Sequence, residues 1–104
     1  MSEGIKYDNE KPPMALLEPE FLEEIARVLG FGANKYAADN WRDGISYRRY
    51  ISAAYRHLGA FSKGEDLDPE SQLTHLGHLG CCIMFLYWIS RHNTKMDDRW
   101  KGKE

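Results

Sequence analysis

Between Arg56 and His78 the chain collects His57, Glu65, Asp66, Asp68, Glu70, His75 and His78, which is three of its four histidines among four carboxylates. Imidazole and carboxylate groups are ligands for divalent cations; a mixed set suits Mn²⁺, Zn²⁺ or Fe²⁺, and carboxylates alone favour Mg²⁺. A divalent metal, Mg²⁺ or Mn²⁺, is the expected cofactor, with His57, Glu65, Asp68, Glu70, His75 and His78 as candidate ligands. Bridged to phosphate oxygens, such a cation polarises phosphorus and lowers the pKa of a bound water, the chemistry of metal-assisted phosphoanhydride hydrolysis. Glu65 and Glu70 are the candidate catalytic carboxylates, and Lys35, Arg42, Arg48 or Arg56 could offset developing negative charge. The same cluster also fits a structural role, in which the acidic loop caps a helix and His75 and His78 make buried hydrogen bonds.

A second set lies upstream, in Lys35-Tyr36-Ala37-Ala38-Asp39-Asn40-Trp41-Arg42-Asp43-Gly44. Tyr36 or Trp41 could stack on a base, Lys35 and Arg42 could meet phosphates, and Asn40 could bond a base edge. The alternative for Trp41 is a plug at the end of a helical bundle, with the cations solvated.

Three helices must position these groups. Pro19 opens the first, about 19–36, with Leu22, Ile25, Val28 and Leu29 on one face and Glu20, Glu23, Glu24 and Arg27 mostly on the other. Those glutamates could bind a cation or form a solvated face near a helix N-terminus. Ser46 is placed to cap the second helix, about 46–63, with Tyr47, Tyr50, Ile51, Ala54, Leu58 and Phe61 as its apolar line. On another face Arg49, Arg56 and Lys63 recur every seven residues. Asp68-Pro69 reads as an N-cap and first helical position, so the third helix is expected over 69–92, with Glu70 in its first turn. In that register Ser71, His75, His78 and Cys82 form one polar line. Beyond Leu79 this helix is apolar nearly all round, and a chain of this size cannot cover it alone, so self-association through the last helix is expected.

One domain over residues 1–104 fits the length, with 42% hydrophobic and 29% charged residues. The net charge of −2 offers no basic excess of the kind nucleic-acid binding requires. The apolar run Leu79–Ile89 is about half the roughly 20 residues needed to span a bilayer, and the N-terminus lacks the apolar core of a secretory signal, so a cytoplasmic protein with no membrane partner is expected. Adjacent Cys81 and Cys82 lack metal or redox spacing and read as reduced packing residues. The prolines at 12 and 13 make the N-terminal stretch an extended arm, and the charged tail from Thr94 is expected to fray, apart from Trp100.

Taken in order, Lys6-Tyr7-Asp8 with Lys11-Pro12-Pro13, Phe31-Gly32-Ala33-Asn34-Lys35-Tyr36, Asn40-Trp41-Arg42, Arg56-His57-Leu58, Gly64-Glu65, and Asp68-Pro69-Glu70-Ser71 with His75-Leu76-Gly77-His78 resemble the phage domain family of dATP/dGTP diphosphohydrolase N-terminal domains. The resemblance covers about residues 4 to 90. It implies an all-α, MazG-like three-helix domain forming an intersubunit helical bundle, a purine deoxynucleoside triphosphate substrate, a divalent metal, and release of monophosphate and pyrophosphate. Lys6, Tyr7, Lys11, Lys35, Tyr36, Asn40, Trp41, Arg42, Arg48 and Arg56 form the expected nucleotide-binding set. MazG-type enzymes are similar to one another in a Glu-x-x-Glu helix followed by a Glu-x-x-Asp helix. Here Glu20-x-x-Glu23 has no such partner, and His75-x-x-His78 stands where acids are expected. A non-catalytic nucleotide-binding protein that sequesters a cyclic or other signalling nucleotide is therefore the alternative.

Overall fold

The computed structural model describes residues 10–102. Three α-helices make the fold, α1 (Pro19–Lys35), α2 (Tyr47–Ser62) and α3 (His75–His92), with short 3₁₀ turns at Met14–Leu16, Asn40–Asp43 and Thr94–Met96. This is the all-α, three-helix domain that the apolar periodicity predicts. Both α1 and α2 pack against α3, which is why α3 is apolar on more than one side.

Each helix starts on a named carboxylate or hydroxyl. For α1, the Glu18 side chain accepts from the Phe21 amide at 2.7 Å and Pro19 takes the first turn, where no amide donor is needed. Ser46 does precede α2, but its side chain makes no capping bond; Asp98 of the C-terminal segment accepts from the Arg48 amide at 2.9 Å instead. The tail expected to fray is thus tied back to α2 through Asp98, whereas Trp100, expected to be its fixed point, is 81% exposed.

The third helix corrects the sequence reading most. It begins at His75, six residues later than expected, with Thr74 as its cap: the Thr74 hydroxyl oxygen accepts from the Gly77 amide at 3.0 Å. Asp68 caps a tight turn instead. Its carboxylate accepts from the Glu70 and Ser71 amides, and the Gln72 amide returns to the Asp68 carbonyl. Gln72 then takes a φ of 61°, a left-handed conformation that stops any helix begun at Pro69. A bridge between Leu67 and Thr74 closes this loop, so Glu70 and Ser71 sit on it and not on α3.

The core has two seams. On one, Tyr47 and Tyr50 of α2 close over Ile89, with Phe85, Leu86, Trp88 and Met96 around them. On the other, α1 lies against Gly77 and Gly80, where a methyl group would stand 2.7 Å from Glu24 Cγ and 2.8 Å from Phe21 Cζ. Those two glycines allow the close approach of α1 to α3. Cys81 and Cys82 are buried and free, and burial pushes the Cys81 thiol up to about 12, in keeping with packing roles. Among the described residues, no helix is long and apolar enough to cross a membrane.

Candidate functional site

Where α2, the 63–74 loop and the start of α3 converge, His57, Asp68 and His75 bring one ligand atom each to within 4.8 Å of one another. The Nδ1 atoms of His57 and His75 face each other at 2.8 Å. On its far side His75 presents Nε2 to Glu65 Oε1 at 2.6 Å. An ionised carboxylate can only accept, so His75 donates from Nε2, and in the neutral ring Nδ1 then turns a lone pair toward His57. This holds the His75 ring in the tautomer that a metal ligand needs, with Glu65 as its orienting partner. His75 is nearly buried, and the loop bond from its amide to the Asp66 carbonyl fixes its backbone.

The electrostatics favour neutral rings and an ionised acid. Burial, then the neighbouring rings of His78 and His75, holds His57 below the ordinary histidine range. Burial likewise lowers His78, whose ring stacks on His57 with centroids 4.6 Å apart and whose Nε2 meets Ser71 Oγ at 2.7 Å. Burial works against the charge of Asp68, but the Ser71 amide, His78, the Ser71 hydroxyl and the Glu70 amide outweigh it and keep its carboxyl below the usual range.

This set fits a cation. His57, Asp68 and His75 bring donor atoms of the kinds a divalent cation takes within 4.8 Å of one another. Two imidazoles and one carboxylate suit Mn²⁺, Fe²⁺ or Zn²⁺ better than Mg²⁺.

Comparison with known proteins gives the setting. The family model described as dATP/dGTP diphosphohydrolase, N-terminal, matches residues 1–99. The chain belongs to this family. A dATP/dGTP diphosphohydrolase of Salmonella phage PMBT28 is 40% identical over 96 residues, which is 92% of this chain and 33% of that protein. The chain therefore spans about a third of that relative's length. No solved structure matches it.

Within this member of the dATP/dGTP diphosphohydrolase N-terminal family, the residues singled out from sequence fall into several places. His57, Asp68 and His75 meet. Glu65 touches His75 alone of the three, and Glu70 is drawn away into an ion pair with Lys35 at the end of α1. His78 borders the group and bonds Ser71. Trp41 stacks on Phe85 with centroids 4.8 Å apart, packs edge-on to Trp88, and carries the Arg42 guanidinium at 4.3 Å. It is half-buried against α3, and Arg42 is further engaged by Asp39 at 2.8 Å. Tyr36 is 66% exposed, and Lys11 and Asn40 are exposed too. Arg48 and Arg56 line shallow grooves along α2. Lys6 and Tyr7 lie outside the described residues.

Two residues that sequence reasoning did not assign to the site shape it. Glu24 of α1 accepts from both the amide and the hydroxyl of Thr74 at 2.8 Å, which fixes the start of α3 and so the position of His75. Those two bonds, the Thr74 amide first, hold the Glu24 carboxyl below its usual value. Asp98 does the same service for α2. Both partners are 50 residues away in the chain, and no local pattern announces them.

Proposed function

We propose that this domain takes part in metal-dependent hydrolysis of a purine deoxynucleoside triphosphate to monophosphate and pyrophosphate. The observation that carries the reading is the facing pair of His57 and His75 beside the ionised Asp68, in a chain whose family is named for dATP/dGTP diphosphohydrolase activity. These three residues would hold the cation, with Mn²⁺ the better match to their chemistry. When bound, the metal supplies Lewis acidity toward a phosphate oxygen and a more acidic water. The chain's own residues supply the rest: Glu65 keeps the His75 proton on Nε2, Asp68 is held ionised by the turn amides, and Arg48 and Arg56 offer positive charge to phosphates. The MazG-like, intersubunit form of the bundle belongs to this same reading.

A second reading, nucleotide binding without hydrolysis, has one observation in its favour. One proton shared between the two Nδ1 atoms satisfies both rings without any ion. The two readings part on one experiment: incubation of the protein with dATP or dGTP and each of Mn²⁺ and Mg²⁺, followed by chromatography of the products. Monophosphate with pyrophosphate is the expected result, with Mn²⁺ the more effective. Intact triphosphate under every condition would leave binding alone.

A further inference from the structure

The outward face of α2 has a regular construction that the metal group does not use. Arg49, Arg56 and Lys63 recur every seven residues, a spacing of about 10.5 Å along the axis that keeps them on one stripe. Between them stand small residues, Ser52, Gly59 and Ala60, so the stripe is a channel with cations on its rim. Arg56 borders two grooves, one running to the N-terminal end of α2 and the other to its C-terminal end. The ends differ in charge. At the first, the Asp98 carboxylate already sits on the Arg48 amide. At the second, among the described residues, neither Arg56 nor Lys63 has an acidic partner within 4.0 Å, and the one carboxylate on the rim, Glu65, is engaged by His75. That second groove has a volume of about 650 Å³, and Tyr55 stands over it 74% exposed.

Gly59 is the odd residue here. It lies within α2, where glycine weakens a helix, and a methyl group built on it would meet nothing within 4 Å. The packing of this chain does not require glycine at that position, as at Gly30 and Gly32 of α1 and unlike Gly77 and Gly80. What its missing side chain leaves open is the floor of the groove.

We infer that this groove is a binding site for a nucleoside polyphosphate, with Arg56 and Lys63 holding the phosphate chain and Tyr55 the base over the bare backbone of Gly59. The rim of the groove reaches Glu65, whose Oε1 is 2.6 Å from His75 Nε2. Guanidinium and ammonium groups on a rim suit a flexible polyanion, and an exposed tyrosine suits a planar base. The link to catalysis rests on the hydrolase reading above, but the binding site does not need it.

The test separates the two. Binding of dAMP, dADP and dATP is measured by calorimetry in EDTA, for the full chain and for Gly59→Leu. The full chain is expected to bind in the order dATP over dADP over dAMP, with affinity falling as salt rises. Gly59→Leu puts a side chain into the groove from a Cβ position that meets nothing within 4 Å, so it should melt at the same temperature or higher and bind dATP at least about tenfold more weakly. Lys63→Gln, on an exposed residue at the helix end, serves as a second variant should Gly59→Leu fail to fold, and is expected to reduce the preference for dATP over dAMP. Equal binding of dATP by both variants and the full chain, or no binding by the full chain, overturns the inference. Failure of the hydrolase reading shows differently, as intact triphosphate with every metal while Gly59→Leu still loses binding.

Discussion

The 2.8 Å between the Nδ1 atoms of His57 and His75 separates residues a cation would need from residues that only neighbour it. His75→Gln removes a donor and is expected to abolish measurable Mn²⁺ binding. Glu65→Gln leaves the donors in place but can no longer fix the His75 tautomer, and such an outer partner is worth about 10–100-fold in metal affinity. Glu70→Gln breaks an exposed, solvent-screened pair with Lys35 and should leave Mn²⁺ affinity within about twofold. Titration calorimetry with MnCl₂ checks all three, and a Glu70→Gln loss as large as that of His75→Gln would remove the assignment of Asp68 as the acid of the set. The cluster itself was legible because its residue types are unusual and close in sequence. Its internal division was not. Whether Glu65, Glu70 or Asp68 joins the histidines depends on where the loop turns, and the positive φ at Gln72 that settles this has no glycine to mark it.

Helix positions followed from periodicity for α1 and α2 and failed for α3, whose cap Thr74 is itself fixed from across the fold. Asp68-Pro69 reads from sequence as the start of α3, and Thr74 is its cap in the structure. Glu24 decides between them by binding Thr74 from across the fold, and spacing along the chain cannot show that. The pH dependence of this bond has a definite sign. The folded carboxyl of Glu24 titrates below its ordinary value of 4.5, so its contribution is fully present above that pH and is lost as pH falls through the lower, folded value. Urea unfolding of the protein and of Glu24→Gln should therefore show a stability gap at pH 7 that narrows below about pH 4.5. A gap that stays constant down to pH 3 would mean that shape alone, not charge, matters at this position. Glycines give a second contrast at this scale. Gly80→Ala drives a methyl group into Phe21 and Ile25 and is expected to cost about 1–3 kcal/mol, whereas Gly30→Ala meets nothing within 4 Å and should stabilise α1 by about 0.5–1 kcal/mol. Thermal melts of the two variants that shift in the same direction would contradict the close packing of α1 on α3.

For the whole molecule, the single chain is open. Its radius of gyration is 17.0 Å, against about 13 Å for a compact domain of this length. Its accessible surface is 8176 Å², against about 6,000 Å² for a folded monomer of this mass. The surplus exceeds the roughly 800 Å² that each partner buries in a standard interface. Part of it is apolar and aligned: Leu76, Ile83 and Tyr87 are 38%, 58% and 65% exposed along one stripe of α3, the face that neither α1 nor α2 covers. Self-association through α3, expected from its all-round apolar sequence, is thus our proposal for what completes the bundle, with a second copy of the chain as the occupant. A mostly apolar stripe on a small chain, with Arg91 over Tyr87 at its end, finds its most abundant complement in the same stripe of another chain, and a two-fold axis lets each serve the other. Ile83→Glu places a charge in the middle of that stripe, where burial against a second copy would leave it unpaired. Light scattering at micromolar concentration is expected to give at least twice the 12.1 kDa chain mass for the unaltered protein and a shift toward 12.1 kDa for Ile83→Glu, with the helical circular dichroism of both alike. A monomer before any substitution would show that the open face of α3 is left to solvent or to a different partner.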